Sequence, residues 1–181
     1  INPIKSWHSK DADTILQELN SSMEGLTDED VIKIISLLER TGGKVFITSE
    51  RELPSKFEAY RICINPNDIA HALYYAEFLI SDSQTMSAEA GVLGTPYIRY
   101  NDFVDKISYL ADLEHNYNLG IGIKTSDKAT LFEKIEMLMA NDNIKLDWEK
   151  KRNKMLNEKL DLTAFLIWLF VDFESRIVEF D

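Results

Sequence analysis

A short apolar strand runs into a polar turn, a small-residue helix, a glycine stop and a second strand. No other stretch of the chain limits the fold so tightly. It begins at Phe78 and reads Leu79-Ile80-Ser81-Asp82-Ser83-Gln84-Thr85-Met86-Ser87-Ala88-Glu89-Ala90-Gly91-Val92-Leu93-Gly94-Thr95-Pro96, followed by Tyr97-Ile98-Arg99-Tyr100. Gly94 fits a left-handed C-terminal cap, and Pro96 prevents the helix from restarting. Strand, turn, helix and strand within about thirty residues form the unit whose helix N-terminus receives phosphates in open α/β sheets.

The composition of that helix is unusual. At about 100° per residue, Met86, Val92 and Leu93 crowd one side with Glu89 among them, while Ser87, Ala90 and Gly91 lie opposite. We expect such a helix to be covered on both faces, leaving Glu89 little open water. A carboxylate so placed needs a hydrogen-bonding partner or holds a proton. A structural Glu near the positive end of a helix is the plain alternative. Beside Ser83 and Thr85, which offer hydroxyls and amide donors to an anion, binding is the better reading.

Asp82-Ser83, then Glu89-Ala90 and Gly94-x-Pro96, resembles the nucleotide-binding signature of the UDP-N-acetylglucosamine 2-epimerases, whose architecture the GT-B glycosyltransferases share. Four stretches together resemble a family of uncharacterised prokaryotic predicted glycosyltransferases. They are Ile47-Thr48-Ser49-Glu50-x-x-Leu53-Pro54, His71 ahead of a Leu, the signature itself, and Ser108-Tyr109-Leu110-x-x-Leu113-Glu114. The likeness covers roughly residues 1 to 173 and implies a Rossmann-like doubly wound parallel sheet, the C-terminal domain of a GT-B protein, with a C-terminal helical tail. It divides the chain at 1–143, a nucleotide-sugar-binding domain, and 144–181, the closing helices.

The resemblance also implies roles. Ser83 would contact the donor diphosphate with Gln84 and the amides of Thr85 and Met86, and Glu89 would accept hydrogen bonds from the ribose hydroxyls. The segment with Ile62 and Cys63 would read the base through main-chain groups. Gln84 and Thr85 stand where the epimerases carry two glycines, which removes the freest backbone approach to a pyrophosphate. A UDP-sugar is the implied ligand. The acceptor half, an N-terminal domain, would be absent from this sequence, which opens on Ile1 almost directly in an apparent strand. We expect the whole protein to be an enzyme and this piece alone to be inactive.

Composition sets the outer bounds. The chain has 181 residues, 45% of them hydrophobic, and a net charge of -11. That charge argues against nucleic acid, whose phosphates need a basic surface, but leaves a nucleotide ligand open. Cys63 is the single cysteine; no internal disulfide can form, and its apolar neighbours predict a buried, inert thiol. Neither a cofactor nor a metal cluster is indicated, because the histidines are scattered without zinc-binding spacing. No signal peptide or spanning segment is evident, so a cytoplasmic location follows by default.

In chain order, Ile1 to Trp7 reads as a strand, and His8 in the following loop is a candidate phosphate contact. Asp11-Ala12-Asp13 is expected to open a helix over Thr14 to Leu19. Thr27 and Asp30 form a capping box for a helix carrying Val31, Ile34, Ile35 and Leu38. A strand over Lys44 to Thr48 leads into Ser49-Glu50-Arg51, hydroxyl, carboxylate and guanidinium groups suited to a sugar phosphate. Tyr60 to Ile64 reads as a third strand, and Asn65-Pro66-Asn67-Asp68 as a turn capping the helix Ile69 to Ala76, which bears His71. After Pro96, Asn101 closes the next strand, and either Arg99 or Tyr100 is expected to reach the ligand. Glycines 120 and 122 in a short strand predict close approach of a neighbour, and Ser126 should cap a helix through Met139.

Leu146 to Leu160 is charged and helical, and Leu162 to Phe173 is apolar on all sides. Such a helix needs cover all round, so we expect it to drive homodimerisation; Lys and Arg do not rim it as an interfacial membrane anchor requires. Three functions fit: the donor half of a glycosyltransferase, half of a 2-epimerase-like enzyme, or a non-catalytic nucleotide-binding or assembly module. Catalytic residues are not legible.

Overall fold

A computed structural model describes residues 14–18, 26–49 and 52–172. It is built on a five-stranded parallel sheet of order β2-β1-β3-β4-β5, with β1 Thr14–Glu18, β2 Lys44–Thr48, β3 Phe78–Ser81, β4 Tyr97–Tyr100 and β5 Gly120–Ile123. Between and after the strands run α1 Asp28–Glu39, α2 Ile69–Tyr75, α3 Gln84–Leu93, α4 Ser108–Ala111, α5 Lys128–Met139, α6 Ile144–Glu158 and α7 Leu162–Ile167. The fold is a Rossmann-like doubly wound α/β sheet.

Every residue of β3 and β4 is buried, as expected of parallel strands covered on both faces. On one face α1 and α5 lie side by side: Lys128 pairs with Asp30 at 2.6 Å, and the Lys33 ammonium sits 4.1 Å from the centre of the Phe132 ring. On the other, α2 and α3 pack together and α6 closes over them. Trp148 Nε1 donates to the Leu119 carbonyl and Arg152 Nε to the Val92 carbonyl, both at 2.8 Å.

Local signals set most boundaries. The Thr27 hydroxyl accepts the Asp30 amide while the Asp30 carboxylate accepts the Thr27 amide, closing the expected capping box. Gly94 ends α3 at φ +84°, where only glycine sits without strain. A Cβ on Gly120 would fall 2.1 to 2.4 Å from the Tyr97 ring, so the expected close approach is real. Asp127, not Ser126, caps α5.

Two elements differ from the sequence expectation. Thr14–Glu18 is a strand, not a helix, paired on both sides in the interior of the sheet: Ile15 lies opposite Val45 on one flank and Phe78 on the other. Five residues led by Thr and Ile suit a strand once a ladder exists on each side, and no local pattern reveals those ladders. Tyr60–Ile64 makes a single parallel bridge, Arg61 opposite Ile47, in place of a third strand. If that bridge is taken as a rudimentary edge strand, the order becomes 3-2-1-4-5-6, that of the dinucleotide-binding folds. The expected strand Ile1–Trp7 and the acidic Asp11-Ala12-Asp13 lie outside the described residues.

Candidate functional site

The parallel register places the carboxyl ends of β2, β1 and β3 in one row, with Thr48 and Ser81 flanking Glu18. From β1 the chain goes outward to β2, and it later returns past β1 to β3. The strand order therefore reverses between β1 and β3, and ligands of open α/β sheets bind outside the carboxyl ends at such a point. The turn Asp82-Ser83 and the N-terminus of α3 stand at that place.

Ser83 caps α3. Its hydroxyl oxygen accepts the Met86 amide at 3.3 Å, and its own amide donates to Ser81 Oγ at 2.9 Å. The Ser87 hydroxyl donates to the Ser83 carbonyl at 2.7 Å. The Met86 amide is thus engaged by the cap and not reserved for an anion. Gln84 and Thr85 occupy the first helical positions, whose amides have no carbonyl within the helix to reach, and the Ser83 hydroxyl keeps its proton to donate. The helix therefore presents donors and the positive end of its dipole at the switch point.

Glu89 is exposed, not enclosed. Ser87, Ala90 and Gly91 are the buried side of α3; a Cβ on Gly91 would meet Tyr97 Cε1 at 2.9 Å. Small residues let the helix settle close to β4; on its bulkier side Met86 and Leu93 are half-buried against the core and Val92 is exposed. Thr85, Glu89 and Val92 form an exposed stripe at i, i+4 and i+7 running from the N-terminus. The expectation of cover on both faces treated bulk as burial.

Arg99 and Tyr100, expected to offer one side chain to the ligand, are both buried. The Tyr100 hydroxyl donates to the Thr125 carbonyl at 2.5 Å. Arg99 grips Glu114 bidentately, Nε to Oε1 at 2.9 Å and one terminal nitrogen to Oε2 at 3.0 Å, and its other terminal nitrogen donates to Asn101 Oδ1 at 3.1 Å. Asn101 is buried too: Oδ1 also accepts the Phe103 amide, and Nδ2 donates to the Asp82 carbonyl at 2.7 Å. Asn101 lies at the correct edge, but its polar atoms are all spent inside the protein. The Tyr97 phenol lies 3.4 Å from Glu114 Oε1. Burial foremost, with the carboxylate's charge next, raises its pKa far above the ordinary phenol value.

Glu114 was missed as a member of this group. It sits in a wide π turn, Asp112–Asn116, that extends α4 and buries Leu113 and Glu114 together. A signal existed: Glu114 falls four residues after buried Leu110 and three before buried Tyr117, a charge on an apolar stripe. Gly122 makes room for it, because a Cβ there would fall 2.6 Å from Glu114 Oε2.

The other expected contacts divide. Ser49 follows β2 and is partly exposed at the same edge, two strand spacings, about 10 Å, from the β3 row. Ile62 donates its amide to the Ile47 carbonyl at 2.9 Å, and Cys63 beyond it is exposed, against the expected burial. Without a full strand pairing, the apolar run Ile62-Cys63-Ile64 is only half covered. His71 is exposed on the first turn of α2. His8, Glu50 and Arg51 lie outside the described residues. Among the described residues no group of three or more His, Cys, Asp or Glu could hold a metal ion.

A likeness to a solved structure agrees with the fold. The fold is glycosyltransferase-like. The crystal structure of the glycotransferase of kitacinnamycin matches with a TM-score of 0.52 at 10% identity, over 78% of this chain and 38% of that one. The chain thus spans well under half the length of that neighbour. No protein-family model and no curated protein matches the sequence. Among the described residues, no helix is long and apolar enough to cross a membrane.

Proposed function

We propose that this chain is the donor half of a GT-B-type glycosyltransferase and that it holds the diphosphate of a UDP-sugar at the N-terminus of α3. The observation that carries this reading is the capped, small-residue helix at the switch point, with Thr85 and Glu89 exposed on one line. A diphosphate at the Gln84 and Thr85 amides would lie one helical turn from Glu89, within range for ribose hydroxyls to donate to the carboxylate. Helix-terminus donors would stabilise the leaving diphosphate as the glycosidic bond breaks. Residues 1–143 would form the nucleotide-sugar unit and 144–181 the closing helices. A further domain across the cleft would supply the acceptor and its base, in a cytoplasmic enzyme. The apolar helix α7 would meet a second copy of this chain.

Calorimetric titration with UDP and UDP-sugars, extended to millimolar ligand, tests the site. Binding should be measurable in the wild type. Glu89 is exposed, so a hydrogen bond to it is worth about 0.5–1.5 kcal/mol net, and Glu89→Ala should weaken UDP binding by roughly two- to tenfold. Absence of UDP binding, or equal affinity in Glu89→Ala, would overturn the reading.

A further inference from the structure

The Asp82-Ser83 turn is held from behind by a buried side chain. Asn101 lies on the segment after β4, yet its Nδ2 donates to the Asp82 carbonyl at 2.7 Å. The orientation of that amide is forced. Two donors, Arg99 from one side and the Phe103 amide from the other, converge on Oδ1 at 3.1 and 2.9 Å. A flipped amide would set N–H groups against both. Arg99 in turn is fixed by two bonds to Glu114. The carbonyl so captured immediately precedes Ser83, the residue whose hydroxyl and carbonyl organise the first turn of α3.

We infer that Asn101 is a positioning residue for the anion site: it sets the Asp82-Ser83 turn, and through it the aim of the Gln84 and Thr85 amides, without touching the ligand. This rests on the reading of α3 as the diphosphate site. A turn free to pivot by a fraction of an ångström would spread the donors over several directions, and binding would then bear the entropy of fixing them. Neither Gln84 nor Thr85 is glycine, so this backbone is stiffer than a glycine pair would make it and its set matters more.

Asn101→Asp keeps both acceptor contacts of Oδ1, but it sets an oxygen against the Asp82 carbonyl and adds a negative charge near the anion site. Asn101→Ser removes the same donation without adding charge, so weaker UDP binding counts for the inference only where both variants show it. Trp148→Phe is the control: it loses a buried hydrogen bond on α6, remote from the turn. Amide hydrogen exchange is followed at Ser83, Met86 and Ser87, and UDP affinity by calorimetry. In Asn101→Asp those three amides should exchange about tenfold faster, the loss of one buried hydrogen bond, and UDP binding should weaken about tenfold. The control should show neither change. Unaltered exchange at the three amides, or equal acceleration in the control, overturns the inference. Faster exchange with undiminished UDP affinity also overturns it, because the turn would then serve the fold alone. If the wild type takes no UDP, the site reading fails, while the exchange data still decide whether Asn101 fixes the turn.

Discussion

Replacing Glu114 by Gln tests the buried ion pair beside β4. Arg99 has no exposed surface, and the Glu114 side chain is 2% exposed, so neither partner can turn to water when the other is altered. In the native arrangement three guanidinium nitrogens are bonded, two to Glu114 and one to Asn101. Gln preserves volume and one acceptor, but it removes the neutralising charge and points an NH2 at a guanidinium N–H. Breaking one side of a buried ion pair costs about 3–5 kcal/mol. With a shift of about 2–4 °C per kcal/mol for a domain of this size, Tm should fall by roughly 6–20 °C. Urea unfolding is the suitable assay because urea, unlike guanidinium chloride, does not screen the pair; the midpoint should fall while the slope holds. The double variant Arg99→Met, Glu114→Leu removes both charges and should recover most of the loss, since neither ion is then buried alone. A loss under about 1 kcal/mol in Glu114→Gln, or a double variant less stable than the single, would refute this account.

Gly120→Ala forces a methyl to within 2.1 to 2.4 Å of the fully buried Tyr97 ring; overpacking of this kind costs about 1–3 kcal/mol or more, and an unchanged urea midpoint would contradict the contact. Lys145 donates to the carbonyls of Tyr74 and Ala76 at the end of α2, and burial pulls its pKa down to about 8, with nearby Glu77 opposing. Its ordinary value is 10.5, so between those two pH values the unfolded chain holds the proton more tightly and stability contributed here rises with pH. Lys145→Met should abolish that rise between pH 7.5 and 9.5, measured as the difference in urea midpoints between variant and wild type; parallel profiles would exclude it. Leu162, Ile167 and Phe170 are 60%, 58% and 71% exposed, so Trp168→Glu, Phe170→Glu, in the π turn Trp168–Asp172 that extends α7, should convert a self-associating chain to a monomer in sedimentation, and unchanged association would exclude α7 and this turn as the interface.

What was legible in the sequence was what local chemistry determines. The capping box of Thr27, the left-handed stop at Gly94 and the tight glycines of β5 follow from the needs of one or two residues and their immediate neighbours. The place of the Asp82-Ser83 turn at the carboxyl edge was legible for the same reason, because a polar turn between an apolar strand and a small-residue helix fixes its own position on a parallel sheet. What was not legible depends on partners far along the chain. Thr14–Glu18 is a strand because β2 and β3 arrive on either side of it. Arg99 faces inward to Glu114, fifteen residues further on and carried to it by a π turn, and Asn101 joins through Arg99; only the place of Glu114 on the stripe with Leu110 and Tyr117 hinted at this. Glu89 was misplaced by a weighing of faces: size suggested that the bulky side was buried, whereas close helix–sheet packing selects the small side.

The exposure of Glu89 changes what the site can do alone. A carboxylate in open water gains little by exchanging water for a ribose hydroxyl, because the net worth of a hydrogen bond rests on what is excluded with it. Amides at a helix N-terminus retain their dipole, but solvent screens them as well. On the proposed reading the donors are placed and aimed by the buried side of the protein, through Ser83 and the Arg99–Glu114–Asn101 group, while the strength of their hold depends on what covers the Thr85–Glu89–Val92 stripe. A surface that closed over that stripe would exclude water from both ends of a bound nucleotide and strengthen each electrostatic contact. On the proposed reading that surface belongs to the acceptor half. Donor affinity and cleft closure would then be two aspects of one equilibrium, of which this chain by itself would display the weak, open side.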